Sequence, residues 1–275
     1  MTGPDLTTAS ADSRAGPPVP GHWLASTWAV MAFQLGRLLT RPRLAMALIG
    51  ALFPPAVMFA AIRTAPLDRN MAVVMIYALI PEALCVLGLL VTMCPVVADE
   101  LERGTWIHVA IRPGGRRSLL LGTFAAAVLW TGGVAVTGLL LTLLIAQPTQ
   151  PIGLAVMFLS LITLSCVGRA ALFALPAVIL PKRALIASVG VALVVEYLAG
   201  FLPAVVNQVT VSLRLRSLLV EWMDWRRQLP VEMTLFVDSY SAGMQILAVI
   251  ILVVVLLAAA CFILNRRQFP PSAEN

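Results

Sequence analysis

Charge is scarce in this 275-residue chain: Asp, Glu, Lys and Arg make up 12% of it. Soluble domains carry about a quarter. With 60% of residues hydrophobic and a mean hydropathy of +0.94, no water-soluble fold of this length could hide its apolar surface. A soluble enzyme, a nucleic-acid-binding module and a disordered regulator are excluded together. Lysine is nearly missing, with Lys182 alone among 19 basic residues, and it sits between Pro181 and Arg183. The Gly-Lys-Ser/Thr ending of a phosphate-binding loop therefore does not occur. Only His22 and His108 are histidines, and there is neither a His-Glu-x-x-His helix nor a Gly-x-Ser-x-Gly turn, which removes the common zinc and serine hydrolases. The four cysteines (Cys85, Cys94, Cys166, Cys261) form no Cys-x-x-Cys pair and lie in apolar stretches, as small buried hydrophobes do. No bound metal or cofactor is expected.

What remains is apolar runs of membrane-crossing length. Six segments, near 44–62, 71–97, 118–146, 152–180, 184–206 and 242–264, are each long enough for the roughly 20 residues that a 30 Å hydrocarbon core requires. The pattern predicts an all-α membrane protein with six transmembrane helices. Residues 1–22 are rich in small, Pro and hydroxyl residues and are expected as a disordered cytoplasmic tail, without the short apolar core of a signal peptide. Residues 270–275 form a second short tail. Over 23–41, Leu24, Trp28, Met31, Leu35 and Leu38 share one helical stripe, with Thr27, Gln34, Arg37 and Arg41 on another face. That is an interfacial helix anchored by Trp28, Arg37 and Arg41, and Pro42 separates it from the first span.

The excess of base, net +6, would signal nucleic acid in a soluble chain. Here its distribution orients the chain, and no nucleic-acid partner is expected. With both termini inside, twelve basic residues fall in inner segments against six in outer ones, so the positive-inside rule puts both ends in the cytoplasm. Four of the outer six lie in 207–241, where Leu218, Trp222, Trp225 and Leu229 repeat at helical spacing. Trp222 and Trp225 are expected as anchors of an amphipathic insertion in the outer interface. Three ionisable residues fall near span centres: Glu82, Arg169 and Glu196. A lone charge there costs about 2.5–3.5 kcal/mol, so Arg169 should pair with one or both glutamates, either as a static pair or as part of a transport path. Pro81 can loosen the helix beside Glu82, and Pro54-Pro55 interrupts the first span.

The loop after the second span reads Val97-Ala98-Asp99-Glu100-Leu101-Glu102-Arg103-Gly104-Thr105-Trp106-Ile107-His108-Val109-Ala110-Ile111-Arg112-Pro113. Gly104 can take the left-handed conformation that ends a helix, after which a short apolar element is closed at Pro113. Arg112, Arg116 and Arg117 can meet lipid phosphates or a partner. This loop, with Arg116 and Gly122 beyond it, resembles the type-2 permeases of ABC transporters. The elbow helix 23–41, six spans, an outer insertion at 207–241 and the basic exit Phe262–Phe269 are similar too. The resemblance implies a coupling loop at 99–117, with Glu100, Glu102, Arg103, Gly104, Thr105, Trp106, His108 and Pro113 meeting an ATPase. It implies two ATPase chains holding ATP and Mg, a homodimer or a second permease, and export of an amphipathic drug, antibiotic, lipid or peptide across the cytoplasmic membrane. The chain itself would not be an enzyme. The alternative from the residues alone is an ion-gradient-driven carrier or channel using Glu82 and Glu196.

Overall fold

The computed structural model describes residues 22–64, 68–106, 111–112, 114–198, 210–225 and 240–267. Among these the regular elements are all helices, with no strand. They are α1 (His22–Leu38), α2 (Arg41–Thr64), α3 (Arg69–Glu102), α4 (Gly115–Ala146), α5 (Pro151–Ile179), α6 (Ala184–Val191, continued by the π-helical turns Ala192–Leu198), α7 (Val211–Trp222) and α8 (Ala242–Arg266). Five of them, α2, α3, α4, α5 and α8, are long and apolar enough to cross a membrane. The segment 184–206 is helical as far as residue 198, and its remainder lies outside the described residues. The helices α2 and α8 bury only 22% and 17% of their most apolar windows. Ile49, Leu52, Val254 and Phe262 are exposed on them, a surface that lipid hydrocarbon can cover.

Local chemistry sets the helix ends. Asp68 and Thr210 cap α3 and α7 in extended conformations, each accepting a backbone N–H with its side chain. Pro151 opens α5. Gln147, at φ 43°, closes α4 in the left-handed region. Proline acts differently at each site. The helix α2 runs unbroken through Pro54 and Pro55, correcting the expected interruption. Its backbone is supported by close packing there: Gly138 of α4 lies so near that an added Cβ would be 3.2 Å from the Ala51 carbonyl. Pro81 does disturb α3, which widens into π-helical turns over Ala78–Leu84. Pro95 then bends α3 before its last helical stretch, Val96–Glu102.

Two further expectations are corrected. The helix α1 does not turn its apolar stripe to one side. Met31 and Leu38 are buried while Leu24 and Trp28 are exposed, because the face seated on the bundle includes the polar Gln34 and Arg37. A polar group that finds a partner overrides the apolar stripe. The larger correction concerns α7, the described helix of the expected insertion 207–241, which packs into the bundle; residues 207–209 and 226–239 lie outside the described residues. Val211, Leu215, Leu218 and Leu219 are buried against Met58, Ile76, Phe158 and Leu161. Apolar contact alone would not draw α7 from lipid into the bundle, since hydrocarbon satisfies leucine equally well. The polar groups at its N-terminus supply the reason.

The contact of α1 with α4 rests on one missing side chain. A Cβ on Gly122 would come within 2.7 Å of Val30 Cγ1 and 2.9 Å of the Thr27 carbonyl oxygen. Because backbone is among the obstacles, Gly122→Ala is expected to cost about 1–3 kcal/mol by overpacking. A thermal melt in detergent checks it: unchanged stability would mean α1 is not held this tightly.

Candidate functional site

The largest fully buried side chain among the described residues is Arg169 of α5. Three elements converge on it. The disturbed turn of α3 offers the Pro81 carbonyl and the Glu82 carboxylate, α6 offers Glu196, and α7 offers Ser212. Arg169 Nη1 donates to the Pro81 carbonyl and to Ser165 Oγ, one helical turn away on α5. Arg169 Nη2 donates to Glu82 Oε2 and, at 2.8 Å, to Ser212 Oγ. Its Nε faces Glu196 Oε2 at 3.4 Å as an ion pair without a hydrogen bond. Ser165 Oγ donates to the same Pro81 carbonyl at 2.6 Å. Tyr77 Oη donates to Glu82 Oε1 at 2.7 Å. Ser212 has a single proton to give. Its contact with Glu196 Oε2, at 2.5 Å, is shorter than that with Glu82, at 3.2 Å.

Two carboxylates against one guanidinium leave a formal charge of −1, and α7 offsets part of it. The N–H groups of Val211 and Ser212 donate to Glu196 Oε1 and Oε2 at 3.1 and 3.0 Å. A helix N-terminus carries about half a positive charge, here directed at a carboxylate. Glu196 is thus met by Arg169, Ser212 and two backbone amides, all able to donate. The same bonds hold α7 in the bundle, because leaving would strand a buried anion. Burying backbone ends away from water is tolerated only where protein satisfies them.

A second constellation lies at the end of the bundle where basic residues concentrate. Arg37 of α1 donates Nη2 to Asp99 Oδ2 at 2.9 Å and Nη1 to Glu100 Oε1 at 3.0 Å. Glu100 is buried, and its other oxygen accepts from Thr105 Oγ1. Arg37 is therefore a clamp between α1 and the end of α3, beyond the anchor expected of it. Gly104 stands at φ 69°, turning the chain so that Thr105 folds back onto Glu100. Glu102 and Arg103 are exposed, whereas Trp106 is buried under the Arg116 guanidinium, 5.7 Å from its ring centre. Arg116 also donates to the carbonyls of Asn265 and Arg267 at 3.1 Å. It thereby closes the C-terminal end of α8 and joins it to α4. His108 and Pro113 lie outside the described residues.

Of the interfacial anchors, Trp28 and Arg41 are exposed, and Trp222 is half-exposed. Trp225 Nε1 donates to Asn70 Oδ1 at 3.1 Å, tying the chain just after α7 to the start of α3. Sequence reasoning missed Tyr77, Ser165 and Ser212. A signal existed for Ser165, four residues before Arg169 and so on the same helix face. None existed for Ser212, whose part depends on α7 folding inward. No protein-family model matches the chain, and no curated protein matches it.

Proposed function

We propose that the chain is the membrane-spanning permease subunit of an ATP-driven exporter, with the end of α3 as its mechanical input. The observation that carries this reading is the Arg37 clamp. It binds α1 to a helix end whose next residues, Glu102 and Arg103, are free-facing charges beside a left-handed glycine. A push on that turn reaches α1 through Arg37 and reaches the core through α3, because Glu82 and the clamp lie on the same bent helix. The chain has no phosphate-binding loop, so ATP and Mg belong to two separate ATPase chains. Both termini are cytoplasmic in this reading, and the conduit forms with a second copy or a related permease. An amphipathic cargo (drug, antibiotic, lipid or peptide) suits helices with few polar groups.

Affinity purification from native membranes with mass spectrometry of the co-eluting proteins tests it. A stoichiometric ATPase is expected, and Glu102→Arg should reduce its recovery on the order of ten-fold or more, the range for reversing a charge at a docking interface. Active vesicles without an ATPase would overturn the reading. A second reading, a carrier driven by an ion gradient, draws on the excess carboxylate at Glu82 and Glu196. The donors crowding Glu196 weigh against it, since they already occupy both of its carboxylate oxygens. Transport under an imposed gradient with no ATP present would restore it.

A further inference from the structure

Between α1, the end of α3 and α4 lies a small, half-open cavity enclosing about 20 Å³, room for one water-sized group. Its polar wall is Gln34, Arg37, Arg43, Thr92, Asp99 and Thr123. Two of these have unused donors. Thr123 is buried, and its Oγ1 has no hydrogen-bond partner among the described residues. Thr131 on the same helix is likewise without a partner among them, but it lines no cavity wall here; Thr92, Thr137, Thr142 and Thr163 each donate to the carbonyl four residues earlier in their own helix. Arg43 is half-buried and donates Nη1 to the Arg37 carbonyl at 3.3 Å. It faces no carboxylate among the described residues, and a guanidinium has five N–H donors to place. The acid on the wall, Asp99, is already turned onto Arg37 at 2.9 Å. Arg37 is taken up by Asp99 and Glu100 together, so what the cavity presents to whatever enters is the Thr123 hydroxyl and the Arg43 guanidinium.

We propose that this cavity is a binding site for the phosphate of an anionic phospholipid, with Arg43 holding the phosphate and Thr123 donating to one of its oxygens. The interior admits one oxygen and no more, so the phosphorus and its other oxygens stay at the mouth with Arg43. Arg41 is exposed at the same end. The acyl chains would then lie along the exposed apolar face of α2, where Leu44, Leu48 and Leu52 are uncovered. An oxygen seated here lies next to the Arg37–Asp99 pair, so lipid composition would bear on the α1–α3 clamp. The site requires only a membrane-embedded chain; it stands or falls apart from the exporter reading.

Native mass spectrometry of the full chain, stripped of lipid and titrated with phosphatidylglycerol or phosphatidylcholine, tests it. The expected result is preferential retention of phosphatidylglycerol. Arg43→Gln should weaken that retention on the order of ten-fold, the effect of losing a charge-assisted hydrogen bond. Thr123→Val, which keeps the shape and removes the hydroxyl, should weaken it by several-fold. Arg41→Gln removes an equal charge from the same end and should change retention less than Arg43→Gln. Equal losses from the two arginine variants would reduce the effect to general attraction of lipid to basic residues and overturn the site. So would unchanged retention in Arg43→Gln, or displacement of the lipid by millimolar inorganic phosphate, which would make free phosphate the ligand. Thermal melts of each variant in detergent separate lost binding from lost folding.

Discussion

Arg169→Met is expected to destabilise the protein by about 3–5 kcal/mol, the usual result of removing one partner from a buried ion pair. The variant deprives Glu82 of its guanidinium and leaves the Pro81 carbonyl with Ser165 alone. Glu196 suffers less, because Val211 N and Ser212 N still donate to it. Adding Glu82→Gln to Arg169→Met should therefore recover more stability than adding Glu196→Gln. Arg169→Lys should rescue little: an ammonium is a point charge, whereas Arg169 serves Pro81, Ser165, Glu82 and Ser212 from two nitrogens of a planar fork. Exchanging the charges, Arg169→Glu with Glu196→Arg, should fail as well. The new cation would face the positive end of α7, so a genuine pair would not survive its own reversal. Fluorescence-detected size exclusion after graded heating measures all of these variants. An Arg169→Met protein that melts with the wild type would remove the cluster as the keystone of the bundle, and a stable charge-exchanged variant would show that α7 does not point its N-terminus at Glu196.

That the fold is helical and membrane-crossing was legible in the sequence, because hydrocarbon imposes a length and a composition that any chain must satisfy. The depth of Glu82, Arg169 and Glu196 was legible for the same reason, and so was the need for partners. What could not be read was α7. Its run from Val211 to Trp222 mixes Arg214, Arg216 and Glu221 with leucines, a pattern that fits a surface helix as well as one entering the bundle. The choice is made by Glu196, from another helix, which binds the amides of residues 211 and 212. The clamp at Arg37 was out of reach in a related way. On its own helix it faces away from the apolar stripe, as a solvated arginine would. Its carboxylate partners are more than sixty positions along the chain, beyond the reach of any periodicity. Pro54-Pro55 and Pro81 carry the same lesson: α2 stays helical through the first pair while α3 widens at the second, a difference that the sequence of neither helix contains.

Under the proposed exporter reading, Arg37→Ala is expected to separate ATP hydrolysis from transport. The side chain joins α1 to Asp99 and Glu100, while the exposed Glu102 and Arg103 proposed to meet the ATPase do not touch it. Removing it leaves the buried Glu100 carboxylate with Thr105 as its remaining side-chain donor, a loss of about 1.5–3 kcal/mol for hydrogen bonds to a charged group. That loosens the end of α3 from α1, while the apolar packing of Val96, Val97 and Trp106 into the bundle remains to keep it folded. A partner ATPase should still bind and still hydrolyse ATP, but its stroke would bend the freed helix end before it moved the spans. Transport per ATP hydrolysed should fall on the order of ten-fold, since each 1.4 kcal/mol of lost coupling corresponds to a factor of ten. Arg37→Lys should recover part of it, because an ammonium can meet one of the two carboxylates but not fork between them. Arg41→Ala, four residues on and exposed, should leave the ratio unchanged. The measurement is substrate flux and phosphate release from the same proteoliposomes. If Arg37→Ala lowers both in proportion, the ATPase has been lost rather than uncoupled, and Arg37 is part of the docking surface instead of the link behind it.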